Sequence, residues 1–289
     1  MDIKVIATDL DGTLLYKKTL ISKKNIIALN KFIKLGGIVC FLTGRCFVSA
    51  KKIADKFESK TGNKIQYISC LKGSILYDNV NNLFLYKNEI NKSLSTQIFE
   101  IIKKYDCVLG AYLDSDLEKS NRMVLYGSDK IIKFLHWFKF FQNCEIIHEW
   151  DKNNLAYKIN ISGVKVKLSG LLHKKNLNLA NNEIRSKLLD QIDLSLTSKY
   201  MYEITAKNSN KGQAIKYISE LLNISTNNFA AFGDSENDID MFKNAGLAIA
   251  IGNKSKALIH NSTHVIFGLQ KNAVARGINH YIFNKKIKK

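Results

Sequence analysis

Apolar runs and helical spacing alternate along the first part of the chain. The runs that start at Val5 ("VIA") and Ile38 ("IVCFL") contain no polar residue, which predicts buried strands of a parallel sheet. Between them, "SKKNIIALNKFIKLGG" predicts a helix that Ser22 caps and the glycines at 36–37 end. The apolar face of this helix is predicted to carry Ile26, Leu29, Phe32 and Ile33. A second helix, "CFVSAKKIADKFESKTG", completes a strand–helix order that predicts right-handed crossovers.

The pattern then changes. "QYISCLKGSILYDNVNNLFLYKN" alternates and turns at "DNVNN", which predicts a β-hairpin. From residue 90 to about 198, the segments "SLSTQIFEIIKKYD", "KIIKFLHWFKFFQ" and "LANNEIRSKLLDQI" predict helices, the second of them rich in aromatic residues. "CVLGAYL", "RMVLYG" and "AYKINISGVKVKLSG" are strand-like. This part is predicted to be a separate α+β module inserted into the chain.

The α/β pattern resumes from Tyr202. "KGQAIKYISELLNI", "NDIDMFKNA" and "SKALIHNS" predict helices, and "NFAAFGD" and "GLAIAIGN" predict buried strands between them. The chain therefore predicts one α/β fold that is interrupted once.

Composition narrows the class of protein. The 289 residues are 46% hydrophobic and 24% charged, which is ordinary for a soluble globular protein. No apolar stretch approaches the roughly 18 residues of a membrane span, and "MDIKVIATDL" does not resemble a secretory signal. We expect a cytoplasmic protein without membrane partners. The five cysteines form no C-x-x-C, so we expect reduced thiols.

The net charge of +19 invites a nucleic-acid function. Only four of the 44 basic residues are arginine, the residue preferred for base readout, and the lysines are spread along the chain. We therefore expect no nucleic-acid partner. A diffuse positive field would still attract small phosphorylated molecules.

Acidic residues follow the first predicted strand. Asp9 and Asp11 would lie at the carboxyl edge of the sheet, where open α/β folds bind ligands. Two carboxylates this close repel each other unless a cation lies between them, and a divalent metal is the natural candidate.

Polar residues also follow other strands or begin a helix. They are Thr43-Gly44-Arg45, Asp234 and Asn237 in "GDSEND", and Lys211-Gly212. If these segments share one sheet edge, the site holds carboxylates, a hydroxyl, a cation and an amide. That set suits phosphoryl chemistry, in which Mg²⁺ and Lys211 would offset the charge of the phosphoryl group.

Four motifs carry a family resemblance. They are "DLDGT" from Asp9, "FLTGR" with Thr43, "EITAKNSNKG" with Lys211, and "GDSEND" from Gly233 to Asp238. Their types and order resemble the phosphatases of the haloacid dehalogenase superfamily, specifically the Cof-type branch of subfamily IIB. The resemblance implies a Rossmann-like catalytic core with a parallel sheet (1–87 and 200–289). It also implies an inserted α+β cap (88–199) that governs substrate choice.

The resemblance also implies residue roles. Asp9 would be the nucleophile that forms an aspartyl-phosphate, and Asp11 the general acid and base. Asp9, the carbonyl of Asp11, and Asp234 would hold Mg²⁺, with Asp238 orienting Lys211 or a metal-bound water. The expected phosphate-binding residues are Leu10 (through its amide), Thr43, Gly44, Lys211 and Asn237.

The expected function is Mg²⁺-dependent hydrolysis of a small phosphate monoester, such as a sugar phosphate, nucleotide or phosphorylated cofactor. Two alternatives stay open: a phosphotransferase or phosphomutase on the same core, and a basic nucleic-acid-binding protein. The chain departs from the Cof-type pattern at Lys72-Gly73, where Asn-Gly is usual. The sequence does not decide whether Lys72 or Arg45 contacts the substrate, nor the oligomeric state.

Overall fold

The structure is a computed structural model of the 289-residue chain. It describes residues 2–17, 19–114, 117–118, 123–127, 144–153, 156–162, 174–198, 201–252, 255–268 and 270–283. The chain divides into two compact units. Unit 1 comprises Met1–Arg45, Ser49–Tyr86 and Asn210–Lys289, and unit 2 comprises Cys46–Val48 and Lys87–Ser209. Which unit acts as a catalytic core and which as a cap stays a prediction.

Unit 1 is built on an eight-stranded, mostly parallel sheet. Its strands, numbered along the whole chain, are β1 (Val5–Thr8), β4 (Ile38–Leu42), β5 (Tyr67–Cys70), β6 (Ile75–Asp78), β7 (Leu83–Lys87), β14 (Phe229–Gly233), β15 (Leu247–Ile251) and β16 (His264–Ile266). Their order across the sheet is β16-β15-β14-β1-β4-β5-β6-β7, and β2 (Leu15–Tyr16) and β3 (Leu20–Ile21) form a separate small hairpin. The predicted α/β class is confirmed.

Strand β1 lies in the middle of this sheet. It pairs in parallel with β14 on one side and β4 on the other, so that Thr8 is level with Phe232 and Phe41. All four residues of β1 are buried, as expected for a strand covered on both faces. The carboxyl ends of β1, β4 and β14 therefore lie side by side at one edge, each followed by a polar segment named above.

Helices connect the strands of unit 1. They are α1 (Lys23–Lys34), α2 (Phe47–Thr61), α5 (Lys211–Leu222), α6 (Ile239–Lys243), α7 (Lys256–His260) and α8 (Ala273–Gly277), with α3 (Lys92–Lys104) and α4 (Lys174–Leu188) in unit 2. The Ser22 side chain caps α1 by accepting from the amide of Asn25, as predicted. The predicted apolar face is only partly right, because Ile26 and Ile33 are half-buried whereas Asn25 is fully buried.

Asn25 is buried because its polar groups are satisfied. Its Nδ2 donates to the carbonyls of Leu14 (3.2 Å) and Lys271 (3.3 Å), and its Oδ1 accepts from the amide of Ala275 (2.9 Å). Asn25 thus joins α1 to the segment after Thr13 and to α8. The spacing of apolar residues along the helix does not reveal this role.

The predicted hairpin has one more turn than its pattern suggests. The turn at "DNVNN" separates β6 from β7, but a second break at Leu71–Gly73 makes β5 and β6 an antiparallel pair. Leu71, Lys72 and Gly73 have φ values of 48°, 66° and 96°, a left-handed run that reverses the chain. Alternation of side chains does not encode this reversal.

In its described residues, unit 2 contains a six-stranded sheet and two helices. Its strands are β8 (Val108–Leu113), β9 (Met123–Tyr126), β10 (Cys144–Ile146), β11 (Ala156–Ser162), β12 (Ile192–Ser198) and β13 (Met201–Ala206), in the order β10-β9-β8-β11-β13-β12. The helices α3 (Lys92–Lys104) and α4 (Lys174–Leu188) supply buried residues such as Ile98 and Ile184 to its core. The predicted aromatic helix at 130–142 lies outside the described residues.

Two further expectations concern the whole chain. Among the described residues, no helix is both long and apolar enough to cross a bilayer. Cys40, Cys70 and Cys107 are buried and Cys46 is half-buried, and none of these four cysteines forms a disulfide.

Candidate active site

Lys211 bridges two aspartates at the carboxyl edge of the unit 1 sheet. Its Nζ donates to Oδ1 of Asp9 and to Oδ1 of Asp238, at 2.6 Å in both cases. Lys211 is the first residue of α5 and is fully buried. A helix N-terminus disfavours a cation, and burial disfavours it more strongly. The Lys211 ammonium is therefore stabilised at this position by the two carboxylates.

Asp238 is fixed on its other side by the backbone. Its Oδ2 accepts from the amides of Asp234 (2.9 Å) and Ser235 (3.1 Å). A Cβ at Gly233 would lie 2.5 Å from the Asp238 side chain, so the last position of β14 has room only for glycine. Asp238 therefore orients Lys211 and the turn that carries Asp234 together.

Asp234 lies against the segment that follows Asp9. Its Oδ1 accepts from the Thr13 hydroxyl at 3.2 Å. A Cβ at Gly12, where φ is +85°, would come within 2.3 Å of Asp234 Oδ2. The glycine of "DLDGT" is thus required both for its left-handed backbone and for the close approach of Asp234.

Burial dominates the ionisation of this cluster. It raises the pKa of the Asp9 carboxyl to about 7; the Lys211 ammonium acts in the opposite direction, and the carboxylates of Asp238 and Asp234 raise the pKa further. Burial also opposes the charge of Lys211, but the carboxylates of Asp238 and Asp9 keep the pKa of the lysine above its ordinary value. Additional positive charge beside Asp9 would favour its ionised form.

The cluster fits a divalent cation. One carboxylate oxygen from each of Asp9, Asp234 and Asp238 lies within 4.8 Å of the others, and all three residues are buried. Three carboxylates face a single ammonium, so a dication would balance the charge, and hard oxygen donors suit Mg²⁺. Because Asp238 already accepts from Lys211 and two amides, Asp9 and Asp234 are the carboxylates better placed to hold the ion.

The predicted phosphate-binding residues differ in their burial and in their hydrogen-bond partners. Thr43 is buried just after β4, and its Oγ1 accepts from the amide of Arg45 at 3.2 Å. Leu10 is buried beside Asp9, whereas Asn237 is exposed and its Oδ1 accepts from the Ser235 hydroxyl at 2.8 Å. A Cβ at Gly44 would meet nothing within 4 Å, which leaves open space above its backbone.

Asp11 does not join the buried cluster with its side chain. The Arg45 guanidinium donates from Nε to Asp11 Oδ2 at 2.6 Å and from Nη2 to Oδ1. The Asp11 side chain is 54% exposed, and Nη1 of Arg45 donates to the Ser49 hydroxyl. Asp11 is therefore an accessible carboxylate in a fixed orientation beside the buried nucleophile candidate.

Sequence comparison assigns the family. The profile of haloacid dehalogenase-like hydrolases matches residues 6–278. The chain belongs to the haloacid dehalogenase-like hydrolase family. MG125 of Mycoplasma genitalium is 31% identical to this hydrolase over 261 residues, which are 89% of this chain and 88% of MG125. The 5-amino-6-(5-phospho-D-ribitylamino)uracil phosphatase YcsE of Bacillus subtilis is 26% identical, covering 98% of this chain and 97% of its own.

Solved structures of haloacid dehalogenase-like hydrolases share the fold. One from Bacteroides thetaiotaomicron superposes with a TM-score of 0.75 at 20% identity, covering 96% of this chain and 99% of its own. The subclass IIB sugar phosphatase BT4131 superposes with a TM-score of 0.73 at 17% identity, covering 96% of this chain and 98% of its own. The expected Cof-type membership is confirmed, and the chain is a hydrolase of phosphoric monoesters.

Sequence reasoning missed two contacts of this site. One is the hydrogen bond from the Thr13 hydroxyl to Asp234, for which the sequence offered only the presence of a threonine in "DLDGT". The pairing of Arg45 with Asp11 had no signal beyond the arginine following Thr43-Gly44, because the contact depends on how the two side chains orient after their strands end.

Proposed function

We propose that this hydrolase removes phosphate from a small phosphorylated metabolite by Mg²⁺-dependent hydrolysis through an aspartyl-phosphate. The observation that carries the proposal is the fully buried Lys211 between Asp9 and Asp238. A protein that only binds phosphate has no need to bury a carboxylate beside the cation that would attract the ligand.

Asp9 is the nucleophile in this proposal. One carboxylate oxygen attacks phosphorus, the bond from phosphorus to the ester oxygen breaks, and the phosphoryl group stays on Asp9. Lys211 holds the other charge-bearing groups in position and offsets the negative charge of the phosphoryl oxygens. Thr43, the amides of Leu10 and Gly44, and Asn237 are proposed to hydrogen-bond these oxygens.

Asp11 transfers the protons. It protonates the departing alcohol in the first step, and as a carboxylate it then accepts a proton from the water that attacks the aspartyl-phosphate. Its exposure suits a group that must meet both the leaving alcohol and water.

Asp9, Asp234 and the carbonyl of Asp11 are proposed to hold the metal. When bound, Mg²⁺ supplies positive charge that keeps Asp9 ionised and draws negative charge from the phosphoryl oxygens. Asp238 and Thr13 orient the side chains around the proposed metal position. Asp238 accepts a hydrogen bond from Lys211, and the Thr13 hydroxyl donates one to Asp234.

The proposed substrate class is a small phosphate monoester. Sugar phosphates, nucleotides and phosphorylated cofactors all fit a small-monoester site. YcsE and the B. subtilis relative YwtE (26% identical) are both named for 5-amino-6-(5-phospho-D-ribitylamino)uracil, so this compound belongs in a substrate panel. A phosphotransferase would use the same aspartyl-phosphate and differ only in passing the group to an alcohol instead of water.

The test is hydrolysis of p-nitrophenyl phosphate by the wild-type protein and by Asp9→Asn, each with Mg²⁺ and with EDTA. Turnover that requires Mg²⁺ and disappears in Asp9→Asn supports the proposal. Turnover that persists in Asp9→Asn contradicts the assigned nucleophile, and equal turnover in EDTA contradicts the metal requirement. A glycerol acceptor added to the assay identifies a transferase by the glycerol phosphate formed.

A further inference from the structure

A cavity of about 480 Å³ lies between helix α1 and the segment that begins with α8, within unit 1. One wall is formed by α1, through Lys24, Ile27, Ala28 and Lys31. Residues at this spacing of i, i+3, i+4 and i+7 share one face of a helix, so a single stripe of α1 lines the cavity. None of the lining residues belongs to the candidate active site.

The opposite wall repeats the same spacing on a less regular helix. It is formed by Asn272, Ala275, Arg276 and Asn279, the first of which directly precedes α8. The helix then continues as a π-helical segment, Ile278–Phe283, which contains Asn279. Such segments are rare in proteins and are frequent at functional sites.

Two alanines leave the space between these walls. Ala28 and Ala275 are both buried at the floor of the cavity, where longer side chains would pack the two helices tightly against each other. The walls are held by Asn25, whose Nδ2 donates to the carbonyl of Lys271 (3.3 Å) and whose Oδ1 accepts from the amide of Ala275 (2.9 Å). Because a fully buried residue fixes both helices, the cavity is a preformed part of the fold.

The cavity is positively charged. Lys24, Lys31 and Arg276 line it, and among the described residues none of its lining side chains is acidic. Lys31 Nζ lies 4.5 Å from the centre of the Phe283 ring. Arg276 Nη2 donates to the carbonyl of Phe267 at 2.9 Å. Neither contact supplies a negative charge, so an anion in the cavity would relieve the repulsion among the three cations.

We propose that this cavity binds a small organic anion with two or three negative charges and an apolar or aromatic body, the chemistry shared by nucleotides and aryl phosphates. The volume falls within the roughly 300–1,000 Å³ of small-molecule sites. The three cations would pair with the charged groups, and the apolar body would cover the alanine floor and Ile27, which is 57% exposed. The inference is independent of the proposed phosphatase function, because none of these residues has a catalytic role.

The test begins with isothermal titration calorimetry of the wild-type protein with ADP and with 1-naphthyl phosphate. EDTA is present throughout, so that the proposed Mg²⁺-dependent hydrolysis does not consume the probes. Adenosine and 1-naphthol keep the apolar body without the charge, and inorganic phosphate keeps the charge without the apolar body. We expect at least one probe to bind with a Kd of about 100 μM or tighter, and about tenfold or more tighter than any of these three compounds.

Two double variants with the same change of charge locate the site. Lys24→Gln, Lys31→Gln removes the two cavity lysines of α1, whereas Lys23→Gln, Lys34→Gln removes two exposed lysines of the same helix that do not line the cavity. The first should raise the Kd by about tenfold or more, and the second by less than about twofold, since solvent screens distant exposed charges. Ala28→Leu fills the cavity without changing the charge and should abolish binding, with folding checked by circular dichroism.

The contrary outcomes are distinct from each other. The proposal is overturned if neither probe binds, or if a folded Ala28→Leu binds as the wild-type protein does. An equal effect of the two double variants would assign the binding to the diffuse charge of the chain, and no effect of either would place the probe at another site; both results also overturn it. Turnover is not measured here, so persistent hydrolysis by Asp9→Asn would contradict the phosphatase mechanism alone.

Discussion

Arg45 holds both carboxylate oxygens of Asp11 in a two-pronged hydrogen bond, although Asp11 is half-exposed. An exposed ion pair contributes little to stability, but a bidentate guanidinium fixes the orientation of a carboxylate. The pair places the proposed proton donor at a defined position after β1, using a residue that follows β4. We therefore expect the Arg45–Asp11 pair to contribute to the rate of proton transfer and little to the free energy of unfolding.

Arg45→Lys should test this relationship, since it keeps the charge and removes the fork. We expect kcat for an alkyl phosphate such as glycerol 3-phosphate to fall about tenfold or more, within the contribution of a general acid. The loss should be smaller for p-nitrophenyl phosphate, whose leaving group needs little protonation. Arg185→Lys, which alters a contact to Asn181 in α4, is the control and should leave both rates unchanged. Equal losses for the two substrates would contradict a role in positioning Asp11.

Gly12 and Gly36 allow the effect of left-handed backbone to be separated from the effect of a steric clash with Asp234. Both have φ of +85°, but a Cβ at Gly12 would collide with Asp234 whereas one at Gly36 would meet nothing within 4 Å. Each alanine variant should lose about 1–2 kcal/mol of unfolding free energy in urea titrations because of its left-handed backbone. Only Gly12→Ala should also lose turnover, by about a hundredfold, because Asp234 must move. Similar turnover in the two variants would show that the position of Asp234 does not matter.

Lys211→Met should destabilise the protein strongly. Removing one member of a buried ion pair leaves the carboxylates of Asp9 and Asp238 uncompensated, at a cost of about 3–5 kcal/mol in unfolding free energy at neutral pH. The control is Lys51→Met, which removes a partly exposed pair with Asp55 within α2 and should cost about 0–1 kcal/mol. Urea unfolding monitored by circular dichroism measures both, and equal losses would contradict the account of the buried cluster.

Glu183 should make unit 2 sensitive to acid. Hydrogen bonds from Lys104, Lys187 and Tyr105 lower the pKa of the Glu183 carboxyl to about 2. Because this folded-state pKa lies below the ordinary value, the stabilisation is complete above about pH 4.5 and is lost as the pH falls through about 2.

Glu183→Gln should therefore have a lower Tm than the wild-type protein at pH 6, and the difference should vanish as the pH approaches 2. Glu220→Gln, an exposed carboxylate in α5 for which the described residues supply no side-chain partner, should show no difference at either pH. A Tm difference for Glu183→Gln that stays constant with pH would mean that packing, and not the charge, is responsible.

Much of unit 1 could be predicted because local and global signals agree there. The apolar runs of β1, β4, β14 and β15 are buried parallel strands, and the polar segment after β1 meets those after β4 and β14, through Asp11–Arg45 and Thr13–Asp234. Parallel register brings strand ends together whatever their separation in sequence, so Asp9, Asp234 and Lys211 were expected to meet if their segments shared one sheet edge.

The remainder depends on features that periodicity does not carry. The reversal at Leu71–Gly73 arises from backbone conformation, and Lys72 is a residue type that gives no warning of it. The burial of Asn25 depends on acceptors and donors from three separate segments. The pairing of Asp11 with Arg45 requires knowing how two side chains orient after their strands end.

The most direct measurement is the detection of the phosphoryl group on Asp9. In Asp11→Asn, p-nitrophenyl phosphate can still transfer its phosphoryl group, because its leaving group needs little protonation, but the base that activates water is lost. Acid quenching followed by peptide mass spectrometry should then find a phosphoryl group on the peptide that contains Asp9. The Asp9→Asn, Asp11→Asn double variant should show none. A phosphoryl group on another residue, or turnover with no covalent adduct, would contradict the mechanism.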